Sequence, residues 1–408
     1  MLTYERALAQ ILKKTPRART ALVELEQALG LTLARPIVAR HDLPRFDNTA
    51  VDGYAVRLEG SVKTWHVIGE AQAGRPFHGR VGRGQAVRIL TGAPVPHGAD
   101  AVIMQERVTR RPGRIGAEEE PKPGQHIRRR GEDLKAGTRV LAAGTILRPQ
   151  ELGLLAAMGY RRVPVHPRPR VAILVTGDEV RPPGSRLKAG QIYESNGMLL
   201  HAMVQQLGAT PRRLGIVPDR MVPLMQRIRV GLVADILVIA GGVSVGDKDF
   251  VRLAARRCGV TPVFWQVDIK PGKPLLFGRR GRTMVFGLPG NPVSVFATFQ
   301  EFVVPALCRL MGRPWDPGYR VPARLAKPVA VSPSRRTHFI RVRTVSRNGH
   351  LDVEPVAGQG SHQLRSLVQA DGWIRLAAED GPWPSGSSVL MKPARGAWPR
   401  SPREVGGW

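Results

Sequence analysis

The stretch Val285–Ser294, Val-Phe-Gly-Leu-Pro-Gly-Asn-Pro-Val-Ser, decides the fold class of this 408-residue chain. The apolar residues from Met284 to Phe286 predict a buried strand, and the glycines that follow predict a turn. Asn291-Pro292 predicts the start of a helix, because Asn is a good N-cap and Pro at the first helical position loses no hydrogen bond. A glycine turn that enters a helix leaves N–H groups at the positive end of the dipole, which suits an anion. Glycine turns also end many strands for purely steric reasons.

Two further apolar runs end in turns of the same kind. Val171–Val175 precedes Thr176-Gly177-Asp178-Glu179, and Ile236–Ile239 precedes the glycine-rich stretch Ala240–Asp247. Short continuous apolar runs are typical of strands buried on both faces of a parallel sheet. The segments between them predict two helices, Asn196–Leu207 with Ser195 as its candidate cap and Met221–Val230. We expect a doubly wound α/β sheet whose ligand lies beyond the carboxyl ends of the strands.

Composition limits the class of protein. At 408 residues and 42% hydrophobic content, the chain should form two to four globular domains. No stretch of 18 uncharged apolar residues exists, so no membrane span is predicted, and the N-terminus lacks the pattern of a secretory signal. Cys258 and Cys308 have no Cys or His neighbour at metal-ligand spacing. A disulfide framework and a zinc site are unsupported, and a cytoplasmic location is expected.

The net charge of +30 raises the alternative of a nucleic-acid partner. Basic residues cluster in four places: Arg107–Arg114, Arg128–Arg130, Arg161–Arg170 and Arg395–Arg403. Aromatic residues make up only 5% of the chain and do not alternate with these clusters as stacking platforms require. No helix-turn-helix, zinc-finger or RNA-recognition signature is present. We expect weak, salt-sensitive binding in vitro but no specific nucleic-acid partner.

The order of patterns along the chain predicts the domain organisation. Residues 3–30 suggest two helices separated at Pro16, and residues 38–140 contain short β-like runs with glycine and proline punctuation. A helix is predicted from Pro149 to Met158, and alternating runs after residue 319 predict a small β-barrel. The predicted domains are residues 1–40 with 138–168 (N-terminal and linker domain), 41–137 (β-rich inserted domain), 169–313 (α/β domain), 319–393 (C-terminal β-barrel) and 394–408 (disordered tail).

Long motifs appear in a fixed order and carry a family resemblance. They are Phe46–Ala55 (FDNTAVDGYA), Arg88–Pro94 (RILTGAP), Gly98–Val102 (GADAV), Arg130–Asp133 (RGED), Thr176–Glu179 (TGDE), Gly241–Asp247 (GGVSVGD), Lys270–Pro274 (KPGKP) and Gly287–Pro292 (GLPGNP). With these motifs the chain resembles the MoeA-type molybdopterin molybdotransferases, the family of the gephyrin E domain, over about residues 3–395.

The resemblance implies a fold and an activity. The fold is an elongated multidomain subunit with a molybdopterin-binding α/β domain, a β-rich inserted domain and a C-terminal barrel, and two subunits form a homodimer whose shared cleft the β-rich domain completes. The activity is insertion of molybdate into adenylyl-molybdopterin with release of AMP, assisted by Mg²⁺. A molybdopterin adenylyltransferase, apo-molybdoenzymes and their chaperones are the implied protein partners.

The resemblance also implies roles for individual residues. Catalytic roles fall on Asp52, Asp133, Glu179, Asp249, Lys270 and Lys273. The metal falls on three carboxylates: Asp52, Glu179 and Asp249. Substrate-binding roles fall on Thr91, Thr176, Gly177, Asp219, Gly241, Gly242, Ser244, Gly246, Pro289, Gly290, Asn291, Arg341 and Ser361.

The residue types fit this chemistry. Lys270 and Lys273 surround Pro271-Gly272, where the backbone can approach a phosphate, and carboxylate oxygens suit Mg²⁺ bound together with substrate phosphates. One departure is Gln266, which stands where many relatives have a basic residue. An acid at the start of a helix stabilises the helix dipole without binding a ligand, so some of the predicted catalytic acids also have a purely structural explanation. Two alternative functions stay open: adenylylation of molybdopterin, and a non-catalytic scaffold or nucleic-acid-binding protein.

Overall fold

The computed structural model describes residues 1–60, 62–243, 250–330, 336–347, 350–377 and 382–394. The chain forms two compact units. The first contains Met1–Leu22, Gly30–Ala34 and the chain from Pro164 onward, and the second contains Val23–Leu29 and Arg35–Val163. The predicted tail beyond residue 394 lies outside the described residues. The division of the chain into four domains with a tail stays a prediction.

The first unit is built on a six-stranded mixed sheet. Its strands in chain order are β1 (Arg170–Thr176), β2 (Thr210–Val217), β3 (Ile236–Ala240), β4 (Thr261–Gln266), β5 (Pro274–Arg280) and β6 (Thr283–Leu288). They lie in the order β2-β1-β3-β6-β5-β4, with β2, β1, β3 and β6 mutually parallel and β5 antiparallel to both of its neighbours, β6 and β4. Strand order reverses between β1 and β3, and a ligand crevice is expected at such a switch point.

Helices cover both faces of this sheet, as predicted. One face carries Tyr4–Lys14, Asn196–Gln206 and a long helical segment made of Pro292–Thr298, the π-helical turn Phe299–Val303 and Val304–Leu310. The other face carries Met221–Gly231 and Phe250–Arg257. All five residues of β3 are buried, which explains why the sequence of this strand is continuously apolar rather than alternating.

The segment Pro292–Leu310 is apolar enough to resemble a membrane span. It has 19 residues and a mean hydropathy of 1.4, but 67% of its most apolar window is buried inside the protein. It also carries the buried carboxylate of Glu301. This carboxylate accepts hydrogen bonds from the Tyr4 hydroxyl (2.8 Å) and the Tyr319 hydroxyl (3.2 Å), and lies 3.0 Å from the Lys392 ammonium. These features are those of a core helix in a globular fold.

The C-terminal residues of the first unit form the predicted β-barrel. Its strands are Val321–Leu325, Thr337–Arg347, His350–Pro355, Gly372–Leu376 and Ser388–Pro393, with one helix at Arg365–Gln369. The barrel closes because Thr337–Arg347 pairs with both His350–Pro355 and Gly372–Leu376. The same long strand also pairs in parallel with the short strand Ile269–Lys270 of the α/β domain. Main-chain hydrogen bonds therefore join the barrel to the loop that follows β4.

The second unit is β-rich, as the sequence predicts. Its main sheet has the strand order Ala101–Met104, Gly53–Val56, Gln85–Ile89, Thr64–Ala71, Arg114–Ala117 and Val108–Arg111. Both faces of this sheet are packed: Tyr54 and Val56 belong to one core cluster, whereas Ala55 and Val87 belong to the other. The remaining elements of this unit are the strand pairs Asn48–Thr49 with Ile127–Arg128 and Ile37–Val38 with Arg139–Leu141, the 3₁₀ turns Leu25–Gln27 and Gln105–Arg107, and the helix Pro149–Ala157.

A few short strands complete the fold. They are Ala21–Glu24, Thr32–Leu33, Arg162–His166, Val180–Arg181 and Ile192–Tyr193.

Two local predictions were wrong. The second N-terminal helix is absent: after Lys14, residues Ala21–Glu24 form a strand that pairs with Arg162–His166, and the N–H of Leu25 donates to the Arg161 carbonyl. Long-range pairing thus overrides local helix propensity. Ser195 occupies the N-cap position, but its backbone is helical and its side chain makes no capping bond. Glu194 caps this helix instead, accepting from the Gly197 N–H.

Candidate active site

A cleft of about 1040 Å³ lies at the carboxyl ends of β1, β3 and β6, where the sequence predicted the ligand. The turns that follow these three strands form one wall of the cleft, and loops of the β-barrel form another. The predicted residues that line it are Thr176, Gly177, Glu179, Asp219, Gly241, Gly242, Lys270, Lys273, Pro289, Gly290, Asn291 and Ser361.

The glycines after β3 allow two strand ends to approach closely. Gly241 has a φ of +96°, and a Cβ added there would lie 2.4 Å from the carbonyl oxygen of Thr176. Gly242 has a φ of +65°, a region that residues with a side chain rarely adopt. The backbone of this turn therefore lies directly against the end of β1. Gly241 and Gly242 therefore contribute only backbone to the cleft lining at this turn.

Acidic side chains order the turn after β1. The Thr176 hydroxyl donates to the Asp219 carboxylate at 2.5 Å, and the Asp219 N–H donates to the Asp178 carboxylate at 3.2 Å. Asp219 follows β2, so this network ties the ends of β1 and β2 together. Glu179 is exposed and, within the described residues, forms no ion pair. A carboxylate in that state is available to a cation.

The turn after β6 connects the α/β domain to the barrel. The amide of Asn196 donates to the Gly290 carbonyl at 2.7 Å, and the amide of Asn291 donates to the Ser361 hydroxyl at 2.8 Å. The N–H of Val293 donates to the Ser361 carbonyl at 3.0 Å. Asn291 stands at the predicted N-cap, before Pro292, yet its side chain makes no capping bond. Its amide joins the two walls of the cleft instead.

The loop Lys270-Pro271-Gly272-Lys273 supplies positive charge to the cleft. Gly272 has a φ of +110°, and a Cβ there would lie 2.5 Å from the Thr298 side chain, so only glycine allows the loop to pack this closely. Lys270 is exposed at the end of the strand that pairs with the barrel. Both lysines therefore line the cleft from a Pro-Gly turn at a strand end.

Arg341 lies behind the cleft wall rather than on its surface. It is fully buried, and its guanidinium donates to the carbonyls of Gly358 (3.2 Å) and Gly360 (3.4 Å), the loop that carries Ser361. Its Nε and Nη1 have no hydrogen-bond partner in the described part of the chain. Burial lowers the pKa of this guanidinium to about 10. Arg341 therefore fixes the loop that carries Ser361, and its Nε and Nη1 groups are two donors without an acceptor among the described residues.

Three predicted residues belong to the second unit. Oδ1 of Asp52 accepts hydrogen bonds from the Thr91 N–H (2.7 Å) and the Thr91 hydroxyl (2.6 Å). These two bonds hold the pKa of Asp52 below its usual range, with a smaller contribution from Arg88. Asp133 is exposed, and its N–H donates to the Leu43 carbonyl at 3.1 Å. An ionised carboxylate held by one oxygen leaves its other oxygen for a ligand.

The predicted metal set is only partly described. Of the three predicted metal ligands, Asp249 lies outside the described residues and Asp52 belongs to the second unit; the predicted substrate-binding residues Ser244 and Gly246 also lie outside the described residues. Across residues 1–394 outside the gaps, no group of three His, Cys, Asp or Glu side chains could hold a metal ion. Glu179 and Asp219 nevertheless offer oxygen ligands in the cleft, and Mg²⁺ needs only one or two carboxylates when substrate phosphates supply the rest.

Several lining residues were missed by sequence reasoning. Buried Glu194 forms a 2.7 Å ion pair with Arg213 where it caps the helix that begins at Asn196. Arg336, His338 and His362 reach the cleft from the barrel. The histidines have no metal-ligand spacing in the sequence and lie in none of the motifs that carry the resemblance. The one signal in the sequence for a cleft contribution from the barrel was the basic pair Arg335-Arg336, just before the long strand Thr337–Arg347.

Comparison with known proteins assigns the family. Family models match in chain order: "MoeA N-terminal region (domain I and II)" at residues 2–159, "Probable molybdopterin binding domain" at 172–309 and "MoeA C-terminal region (domain IV)" at 322–393. A "Molybdopterin molybdenumtransferase" of Haemophilus influenzae is 38% identical, covering 96% of this chain and 98% of the relative.

Further relatives and solved structures agree. A "Molybdopterin molybdenumtransferase 2" of Mycobacterium tuberculosis is also 38% identical, over 91% of this chain and 94% of the relative. A crystal structure of a molybdopterin biosynthesis MoeA protein from Pyrococcus horikoshii superposes with a TM-score of 0.81 at 32% identity, covering 97% of this chain and 100% of that one. On the agreement of fold and sequence over nearly its whole length, the chain belongs to the MoeA family of molybdopterin molybdenumtransferases.

Proposed function

We propose that this protein is a molybdopterin molybdotransferase, which inserts molybdate into the dithiolene of adenylyl-molybdopterin and releases AMP. The observation that carries this proposal is the composition of the cleft: three glycine turns, two lysines and three acids face one volume of about 1040 Å³. That volume suits a nucleotide-sized ligand with a pterin, and the mixture of charges suits phosphates together with a cation.

The lysines bind anionic groups through side-chain charge, and the glycine turns bind them through backbone N–H groups. Lys270 and Lys273 act as point charges for substrate phosphate and for the molybdate dianion. The glycine turns after β1, β3 and β6 bring backbone N–H groups to the same edge of the sheet, where oriented peptide dipoles favour anions. Ser361, held by Asn291, adds a hydroxyl donor from the barrel side.

A divalent cation, Mg²⁺, fits the acidic side of the cleft. Glu179 and Asp249 are the ligands we propose from the α/β domain. When bound beside the phosphate, such an ion polarises it as a Lewis acid. Asp219 orders the turn that carries Glu179, because it accepts from Thr176 at the end of β1.

The residues of the β-rich domain complete the site in a homodimer. We propose that each protomer offers Asp52, Thr91 and Asp133 to the cleft of its partner, and the family resemblance supports a role for these residues in the reaction. Thr91 keeps Asp52 ionised, so that Asp52 can bind the cation or order the molybdate. A molybdopterin adenylyltransferase and apo-molybdoenzymes or their chaperones are the proposed protein partners. A cytoplasmic location is part of the same proposal.

AMP release tests the function directly. Purified protein with adenylyl-molybdopterin should release AMP only when molybdate is added. Lys270→Ala and Lys273→Ala should each weaken substrate binding by about 1.5–3 kcal/mol, the cost of a charged hydrogen bond. Lys188→Ala, an exposed lysine that does not line the cleft, is the matched control and should bind normally.

The same assay separates the alternatives. AMP release without molybdate would contradict the proposal. Consumption of ATP with unmodified molybdopterin would support an adenylyltransferase, and the absence of both reactions in folded protein would support a scaffold.

A further inference from the structure

The geometry points to His338 as an oxyanion-binding residue of the cleft that takes up a proton when molybdate binds. The inference rests on the proposed function, because it concerns the same cleft and the same dianion. It adds a residue that comes from the barrel and makes the binding of the metal oxyanion depend on pH.

The fold places His338 beside the lysine loop. Strand Ile269–Lys270 pairs in parallel with the barrel strand so that Lys270 stands opposite His338, and the N–H of Thr337 donates to the Asp268 carbonyl at 2.9 Å. The side chain of His338 is 3% exposed and lines the cleft. Backbone pairing therefore holds this imidazole at the base of the loop that carries the positive charge.

Two cations near His338 disfavour its charged form. Lys270 faces it from the neighbouring strand and Arg336 lies just before its own strand, whereas the uncharged Leu376 is opposite it on the other side. The acids of the cleft, such as Glu179, line the walls formed by the α/β domain. Burial, and then the charges of Lys270 and Arg336, lower the pKa of His338 below its ordinary value. The imidazole is therefore mostly neutral at pH 7 in the empty cleft.

A bound dianion reverses this electrostatic balance. Two negative charges near Lys270 offset the repulsion from the cations and raise the pKa of His338, so a proton moves from solvent to an imidazole nitrogen as the oxyanion binds. By linkage, the affinity for the dianion is greatest below the pKa of the empty cleft and falls as pH rises toward the pKa of the complex. With a single linked proton the loss is at most about tenfold per pH unit.

Proton uptake can be measured by calorimetry. Molybdate, and separately tungstate, is titrated into the full-length protein near pH 7 in two non-phosphate buffers of different ionisation enthalpy. We expect uptake of a measurable fraction of one proton in the wild type. His338→Gln should abolish the uptake and flatten the dependence of Kd on pH, whereas His362→Gln, a second imidazole of the same cleft, should retain both.

Clear outcomes overturn the inference. Equal uptake in wild type and His338→Gln, or wild-type binding without any uptake, contradicts it, and so does the absence of oxyanion binding. If His338→Gln fails to fold, His338→Asn and the imidazole resonances of histidine-labelled wild type give the same answer, because molybdate must shift one histidine titration to higher pH. Uptake without AMP release would instead contradict the proposed function and leave the role of His338 standing.

Discussion

Replacing Gly241 by alanine should destabilise the protein far more than the same change at Gly290. The new Cβ at position 241 would lie 2.4 Å from the Thr176 carbonyl oxygen, whereas unstrained carbon–oxygen contacts begin near about 3.3 Å. The turn or the end of β1 must therefore shift by about 0.9 Å. The positive φ adds roughly 1–2 kcal/mol and the overpacking roughly 1–3 kcal/mol, which gives a total of about 2–5 kcal/mol.

Gly290 is the matched control in the same cleft. It is exposed, and the nearest heavy atom to an added Cβ would be the Cα of Gly241, at 3.9 Å. In thermal unfolding, Gly241→Ala should lower the apparent Tm by about 5 °C or more, since roughly 2–4 °C is lost per kcal/mol in a domain of this size. Gly290→Ala should change the apparent Tm by less than about 2 °C.

Binding provides the second measurement for this pair. Calorimetric titration with adenylyl-molybdopterin should show that Gly241→Ala loses affinity, because Thr176 and the turn after β3 are displaced. Two results would refute the reasoning: a Tm for Gly241→Ala within about 2 °C of wild type, or a greater loss of stability for Gly290→Ala. Either result would mean that the close approach of β1 and β3 is not what requires glycine.

Three other changes test separate parts of the structure. Thr91→Val removes a hydrogen bond that favours ionised Asp52, so the pKa of Asp52 should rise and the acid limb of the AMP-release profile should move to higher pH; an unchanged profile would contradict this. Glu301→Ala leaves two tyrosine hydroxyls and Lys392 without their buried acceptor and should cost about 3–5 kcal/mol in thermal or urea unfolding, whereas the exposed Glu5→Ala should cost nearly nothing. EDTA should abolish AMP release and Mg²⁺ should restore it, and turnover that persists in the chelator would remove the cation from the proposal.

The sequence predicts the α/β sheet well because its signals are local. The buried run Ile236–Ile239 and the glycines after it require no knowledge of distant residues, and the structure confirms a buried parallel strand followed by a tight turn. The helix predicted at Pro149–Met158 also depends on local signals, namely Pro at the first helical position and Glu151 near the helix start. In the structure this helix ends at Ala157, one residue before the predicted end.

The unpredicted features depend on long-range pairing. Glu24 joins a strand because arginines more than 130 residues later are placed beside it. His338 reaches the cleft only because the barrel strand pairs with Ile269–Lys270, a register that no local pattern encodes. Burial of Arg341 likewise reflects the loop that folds over it. A sequence motif can single out such residues, but their neighbours are set by long-range pairing and are seen only in the folded structure.

The buried carboxylate of Glu301 has a consequence for synthesis of the chain on the ribosome. Its hydroxyl partner Tyr4 lies 297 residues earlier, and its ammonium partner Lys392 lies 91 residues later. The helix that carries Tyr4 is translated long before Glu301, yet the carboxylate gains its ammonium partner only when the strand Ser388–Pro393 has emerged. The first unit therefore completes its core only after the strand Ser388–Pro393 has been made, and a nascent chain that stalls before Lys392 carries the Glu301 carboxylate without its ion-pair partner.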